Sequence, residues 1–167
     1  MRALALTLVV GCAHAPAQAP PRAEVDRVLD DWHAAAAVAD EERYFSHFEK
    51  NAVFFGTDPA ERWSVAEFRA YAHPHFAKGK AWAFRAVRRA VFFAADGRTA
   101  WIDEDLDTPN LGPARGTGVL VLGGAGGRWQ VAQYSLSVPI PNGIFKDVKA
   151  LIERAPPQGA DQGTPPQ

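Results

Sequence analysis

The sequence predicts an α+β fold, in which helices pack on the concave face of a cone-shaped, curved antiparallel sheet. Two observations support this prediction. Apolar residues in the first half of the chain recur mainly at helical spacing, whereas the second half holds apolar stretches separated by turn residues. Helices followed by a run of antiparallel strands are typical of α+β domains. A length of 167 residues suggests a single domain.

Three helices are expected in the first half of the chain. Between residues 23 and 40 the apolar residues share one helical face. Asp40 is placed to cap a second, short helix. Ser64 and Glu67 have the spacing of a capping box, which predicts that a third helix begins just after Ser64. Pro74 lacks a backbone donor, so we expect it to kink or end that helix, and Gly79 is the expected stop.

The strands follow from the spacing of turn residues. Asp96-Gly97 is a strong hairpin signal, and a two-residue turn there places Arg88 opposite Asp105. The next loop is long and leaves the register open, but a symmetric register places Asp105 opposite Arg115. The expected strands cover residues 52–55, 82–93, 99–106, 115–122 and 128–138.

Residues 1–22 are interpreted as a targeting signal and tether. A basic Arg2, a short apolar stretch and a small residue before Cys12 follow the order of a secretory signal. The run 9–12 resembles a bacterial lipobox, in which the cysteine is lipidated. This predicts export to the periplasm or cell envelope, with a lipid anchor that holds the protein to the membrane. Two A-x-A patterns at 13–17 leave a cleaved, soluble form open, and a start upstream of Met1 is also open.

Composition excludes several classes of site. A single Cys allows no internal disulfide and no cysteine-based zinc site. His73 and His75 point in different directions on a helix, so neither a metal nor a cofactor is expected. The net charge of -1 and the absence of a basic stripe argue against nucleic acid as a partner.

The folded domain is assigned to residues 23–154, and the Pro-, Gln- and Gly-rich tail at 155–167 is expected to be disordered.

The second half of the chain carries several local motifs: Asp96-Gly97 followed by Ala100-Trp101-Ile102, then Arg115–Leu120, Gly127–Val131, Gln133–Leu136 and Pro139–Asn142. These motifs resemble the SnoaL-like branch of the nuclear transport factor 2 superfamily, and the resemblance covers about residues 24–141. It implies a strongly bent sheet that encloses a cavity, often in a homodimer built on the outer face of the sheet. The superfamily includes isomerases, dehydratases, hydrolases, ligand carriers and oligomerisation modules, so the fold does not define an activity.

The candidate site lies on the last strands. Because side chains alternate along a strand, Trp101, Asp103 and Asp105 share one face. Asp103 is the candidate for proton transfer, with Arg115 or Tyr134 to orient a substrate. A competing interpretation makes Asp105 and Arg115 a structural cross-strand ion pair. The residues expected to bind a ligand are Trp82, Trp101, Asp105, Arg115, Gln133 and Tyr134.

Two functions from different classes remain open. The leading hypothesis is a cavity that binds a small, partly apolar molecule. Catalysis is left undecided; it would be a cofactor-free proton transfer of the isomerase, dehydratase or cyclase type. Gln133 and Ser135 stand where many relatives have histidine, which argues against histidine-based dehydration. The alternative is a non-catalytic homodimer or protein-interaction module of the envelope. It predicts an interior filled by the chain's own aromatic residues and an apolar patch on the outer sheet face.

Overall fold

The computed structural model describes residues 22–123 and 127–155. Within them, three helices pack against one six-stranded sheet and a fourth follows the last strand. The helices are α1 (Arg22–Ala37), α2 (Glu41–Ser46), α3 (Val65–Ala77) and α4 (Phe145–Arg154), the last preceded by a 3-10 turn at Asn142–Ile144. The strands are β1 (Phe48–Phe55), β2 (Arg62–Ser64), β3 (Arg85–Phe93), β4 (Thr99–Thr108), β5 (Gly112–Gly123) and β6 (Arg128–Ser137).

The predicted α+β class is confirmed. The sheet is curved and unclosed, in the order β2-β1-β6-β5-β4-β3, so that β2 and β3 form its edges. All neighbouring strands are antiparallel except β1 and β6, which run parallel. The parallel pair arises because α3 and the short edge strand β2 separate β1 from the strands that follow it in the chain.

The predicted helix starts are confirmed by their caps. Asp40 accepts a hydrogen bond from the backbone N–H of Arg43 at 3.1 Å. The side chain of Ser64 accepts from the backbone N–H of Glu67, and the Glu67 carboxylate accepts from the backbone of Ser64 at 2.8 Å. These bonds satisfy backbone donors that a helix N-terminus otherwise leaves unpaired.

The helix α3 continues through Pro74 to Ala77, burying Phe68 and Phe76 in the core, and it ends just before the predicted stop at Gly79. Several predicted strand starts are wrong: β1 begins at Phe48 and β5 at Gly112, both earlier than expected. The strand expected from Trp82 begins only at Arg85, since Trp82 turns inward and packs against the helices instead of extending the sheet.

The strand registers follow the turn chemistry. Arg88 lies opposite Asp105 across the β3–β4 hairpin, as the Asp96-Gly97 turn predicts. Asp105 lies opposite Arg115 across the β4–β5 pair, which is the symmetric register. Between β5 and β6 the register shifts after Val119, consistent with a β-bulge.

An aromatic core fills the space between the helices and the concave face of the sheet. Trp32 of α1 packs against Tyr44 and Tyr134, with ring centroids 5.3 and 4.8 Å apart. Phe54 of β1 stacks on Phe68 of α3 at 4.0 Å. Aromatic pairs of this kind contribute about 0.5–1.5 kcal/mol beyond the area that they bury. The interior is therefore filled by the chain's own side chains.

Among residues 22–123 and 127–155, no helix is long and apolar enough to cross a membrane. The predicted signal and the lipid site at Cys12 lie outside the described residues, as does most of the predicted tail at 155–167. Export and lipidation therefore stay predictions.

Candidate functional site

The polar residues predicted on β4 lie on the outer face of the sheet, away from the helices. Arg88 contacts both carboxylates: its Nη2 is 2.9 Å from Asp103 Oδ1 and its Nε is 2.7 Å from Asp105 Oδ2. Arg115 Nε lies 3.8 Å from Asp105 Oδ1. The hydrogen bond from Arg88 lowers the pKa of Asp105. These contacts have the geometry of the cross-strand ion pair that was the competing interpretation of Asp105 and Arg115. A ligand role for Asp103, Asp105 and Arg115 stays a prediction.

The other predicted residues divide between the two faces. Gln133 lies opposite Val119 and thereby shares the outer face with Trp101, which is 46% exposed. Tyr134 is buried in the interior, and Trp82 is half-buried beside the helices. Because neighbouring residues of a strand point to opposite faces, Gln133 and Tyr134 do not meet in one site.

The interior face of β4 carries a carboxylate that is completely buried. Glu104 follows Asp103 in the chain and receives three hydrogen bonds from other elements. Its Oε1 lies 2.9 Å from His33 Nε2 of α1 and 2.7 Å from the Tyr134 hydroxyl of β6. Its Oε2 accepts a hydrogen bond from Arg89 Nε of β3 at 2.8 Å. We call these four side chains the Glu104 network.

The Glu104 network holds its carboxylate in the ionised form. Burial by itself raises the pKa of Glu104, because it disfavours the charged form. The hydrogen bond and charge of His33, the charge of Arg89 and the Tyr134 hydroxyl outweigh burial. They lower the pKa of Glu104 from 4.5 to about 2. Glu104 is therefore suited to orient and neutralise its partners, and not to act as a general acid.

Arg89 ties the Glu104 network to α1. Its side chain is 7% exposed, and its Nη1 donates to Asp30 Oδ1 at 2.9 Å and to the Asp26 carbonyl at 3.2 Å. Burial lowers the pKa of Arg89, but the carboxylates of Glu104 and Asp30 outweigh it and raise the pKa. The carboxylates of Asp26 and Asp30 on α1 and of Glu104 on β4 thus surround the guanidinium of Arg89.

The hydrogen bond between Tyr134 and Glu104 requires a glycine on the intervening strand. A Cβ added at Gly116 would lie 1.8 Å from the Tyr134 hydroxyl oxygen and 3.1 Å from Glu104 Cγ. Contacts this short are excluded for real side chains. Gly116 therefore provides the space through which Tyr134 of β6 reaches Glu104 of β4.

Aromatic rings enclose the histidine of the Glu104 network. The His33 ring is 5.1 Å from the Trp32 ring and 6.0 Å from the ring of Phe84, which is half-buried. When Nε2 donates to Glu104, Nδ1 is the basic nitrogen of the ring. Within the described ranges no side chain or backbone group bonds to that nitrogen. A carboxylate-oriented imidazole of this kind can accept or deliver a proton.

Sequence reasoning missed Glu104 and His33, although both carried a signal. Glu104 shares its strand face with Ile102 and Leu106, and an acidic residue between apolar neighbours indicates a buried, paired charge. His33 falls four residues after Leu29, on the apolar face of α1.

A second polar cluster lies on the opposite side of α1. Asp31 Oδ2 is 2.9 Å from His47 Nε2, and Asp31 also pairs with Arg43. An open groove of about 740 Å³ runs past these residues to Trp129. No group of three or more His, Cys, Asp or Glu residues suited to a metal ion occurs in the described part of the chain.

The fold has many counterparts among solved structures, at low sequence identity. An NTF2-like protein of unknown function from Pseudomonas putida has a TM-score of 0.60 and 17% identity, over 72% of this chain and 87% of that one. A candidate scytalone dehydratase from Novosphingobium aromaticivorans has a TM-score of 0.59 and 8% identity, covering 71% and 83% of the two chains. A candidate ketosteroid isomerase from Parabacteroides distasonis has a TM-score of 0.56 and 16% identity, covering 70% and 86%. These likenesses show a shared fold.

Sequence comparison identifies the family. No curated protein matches the chain significantly. The model of the SnoaL-like domain family matches residues 25–141, which is more than half of the chain and runs from α1 to just beyond β6. The chain therefore belongs to the SnoaL-like domain family.

Proposed function

We propose that the concave face of the sheet binds a small, partly apolar molecule, and that His33 is the polar group that meets it. The observation that carries this proposal is the Glu104 network in an otherwise aromatic interior. Buried ion pairs are weak evidence for stability, because well-packed apolar residues of similar volume often stabilise a fold equally well. A buried carboxylate with a strongly shifted pKa and specific charged partners is instead a common mark of a functional site.

The surroundings of His33 suggest the chemistry of the ligand. Trp32 and Phe84 lie beside the imidazole and offer flat apolar surfaces, so the ligand has a planar apolar body. The imidazole Nδ1 accepts a hydrogen bond from a hydroxyl group on that body when the ring is neutral, and it donates to a carbonyl group when the ring is protonated. A proton transfer of the isomerase, dehydratase or cyclase type would use His33 as acid or base, with Glu104 as the orienting carboxylate. The fold shared with the candidate dehydratase and isomerase is compatible with this chemistry.

Binding of fragments followed at His33 tests the proposal. Isotope-labelled histidine gives a separate imidazole signal for each ring, and aromatic ketones and phenols serve as probes at up to about 1 mM. We expect a subset of fragments to shift the His33 signal, and the His33→Gln variant to lose their binding. The variant His33→Gln is preferred over Glu104→Gln, since breaking a buried ion pair costs about 3–5 kcal/mol of stability and would complicate the comparison of binding.

The sequence supplies a matched control. Asp103 and Glu104 are adjacent carboxylates on opposite faces of β4. We expect the Asp103→Asn variant to bind the same fragments as the unchanged chain. Loss of binding in Asp103→Asn with retention in His33→Gln would overturn the proposal and place the site on the outer face. The absence of any fragment shift at His33 would count against a concave-face site altogether.

A second candidate function, a non-catalytic homodimer, is favoured by different observations. Phe92 and Trp101 stack at 5.8 Å on the outer face of the sheet and are about half exposed. Charges of both signs surround them, as in surfaces that pair with a second copy of themselves. Further exposed apolar side chains lie on and just before α4: Ile144, Phe145, Leu151 and Ile152. The filled interior agrees with this candidate as well.

A further inference from the structure

Residues 81–84 connect α3 to β3 and lie over the interior. In the described parts of the chain, no backbone hydrogen bond joins these four residues to another element. The last backbone contact before them is Lys80 N–H to the His75 carbonyl at 3.2 Å. Gly79 has a φ of +69°, a left-handed conformation in which glycine allows the chain to change direction. We call residues 81–84 the strap.

Two aromatic side chains hold the strap in place. The Trp82 ring lies 5.4 Å from Phe76 and 5.7 Å from Tyr44. The Phe84 ring lies 6.0 Å from the imidazole of His33. Both aromatic residues are half-buried, whereas Ala83 between them is exposed. The strap is therefore held by side-chain contacts.

The strap packs beside the histidine of the Glu104 network. His33 is 7% exposed and Glu104 is fully buried, and Phe84 is the strap side chain that lies next to the imidazole ring. Segments with few backbone hydrogen bonds and half-exposed anchors open at a lower free-energy cost than the rest of a domain. Such an opening would break aromatic contacts without breaking any strand ladder or helix.

We propose that the strap swings outward about Gly79, so that the space filled by Phe84 and Trp82 becomes the access path and pocket for the ligand. The biological meaning of this motion rests on the proposed function, because a strap over an interior that binds nothing would serve no ligand. The motion itself is a property of the chain and is measured without a ligand. A pocket present only in a minor conformation explains how a filled interior admits a small molecule.

Chemical labelling of His33 tests the opening. Diethyl pyrocarbonate modifies accessible imidazoles, and mass spectrometry resolves each histidine of the full chain. We expect His33 to be labelled more slowly than the exposed His73, at a rate that low urea leaves nearly unchanged. A rate that is insensitive to denaturant indicates a local opening, because global unfolding exposes far more surface and accelerates steeply with urea.

Two phenylalanine variants sharpen the test. Phe84→Ala removes the strap side chain next to His33 and should speed the labelling of His33 by about tenfold or more, since it shifts the opening equilibrium. Phe92→Ala removes the same side chain from the outer face of β3 and should leave the labelling rate of His33 unchanged. The free energy of unfolding is measured for both variants, so that a general loss of stability is recognised.

The outcomes separate the strap from the proposed function. If His33 labelling follows global unfolding in urea, and Phe84→Ala changes it only in proportion to its loss of stability, the strap is fixed and the inference is wrong. If His33 is labelled through local opening but no fragment binds there, the strap motion is supported and the binding function is rejected. If fragments bind at His33 without local opening, the binding function is supported and the strap motion is rejected.

Discussion

Glu104 and Asp103 are adjacent in the chain, yet one carboxylate is buried and the other is partly exposed to solvent. The difference arises from strand alternation, which turns neighbouring side chains to opposite faces. Asp103 shares Arg88 with Asp105 on the outer face, where solvent screens the ion pairs and little stability is gained from them. Glu104 has its own set of donors in the interior, where each bond stabilises the charge more strongly. Of the two carboxylates, Glu104 is therefore the stronger candidate for a functional role.

The lowered pKa of Glu104 predicts a loss of stability in acid. The unfolded chain binds this proton at about pH 4.5 and the folded chain only near pH 2, so the unfolded state carries more protons between these values. The contribution of Glu104 is complete above about pH 4.5 and falls as the pH drops through this window. A shift from 4.5 to about 2 corresponds to roughly 3 kcal/mol in the free energy of unfolding.

Urea unfolding of the unchanged chain and of Glu104→Gln between pH 2.5 and 6 measures this effect. The lowered pKa values of Asp31 and Glu67 also make stability depend on pH, so the difference between the two proteins isolates Glu104. We expect that difference to shrink toward low pH. A difference that stays constant from pH 6 to pH 2.5 would mean that folding does not lower the pKa of Glu104, and a difference that grows toward low pH would mean that folding raises it.

The pairing of β5 with its neighbours depends on a close approach at Gly116. We predict that Gly116→Ala destabilises the domain by about 1–3 kcal/mol, the usual cost of overpacking, because its methyl group meets the Tyr134 hydroxyl. Gly123→Ala is the matched control, since a Cβ there meets no atom within 4 Å. Equal unfolding midpoints of the two variants in urea would contradict the assigned role of Gly116.

The elements that could be predicted from the sequence are those with local causes. The caps at Asp40 and Ser64 and the hairpin register from Asp96-Gly97 depend on a few neighbouring residues, and the structure confirms them. The stop of α3 near Gly79 also has a local cause, whereas the late start of β3 depends on the packing of Trp82 against distant helices, which the sequence pattern does not contain.

The candidate site was harder to predict than the elements. Alternation correctly groups Trp101, Asp103 and Asp105 on one face, but it does not tell which face the helices cover. That choice is made by α1, which brings His33 to the other face of β4. The packing of α1 on the sheet is a long-range contact that local patterns do not contain. Only the apolar neighbours of Glu104 indicated in advance that this face of β4 is covered.

At the scale of the whole molecule, the two faces of the sheet support different functions. The concave face holds the Glu104 network beside the strap, and the outer face presents the Phe92–Trp101 pair among charged residues. A binding domain can also form a homodimer, so the two candidate functions do not exclude each other. An interior that binds no fragment would leave the outer face as the remaining candidate.

The outer face predicts self-association that depends on Trp101. A half-exposed aromatic pair gains stability when a second copy removes it from water, and aromatic residues are enriched at the centres of interfaces. We expect light scattering coupled to size-exclusion chromatography to give twice the mass of one chain for the unchanged protein. The Trp101→Glu variant should give the mass of a single chain at the same concentration, because dimerisation would bury the new charge at the centre of the interface. Val38→Glu places the same charge at another exposed apolar residue and should leave the mass unchanged. A single-chain mass for the unchanged protein over the whole accessible concentration range would remove the homodimer, and the concave face would then be the remaining candidate site.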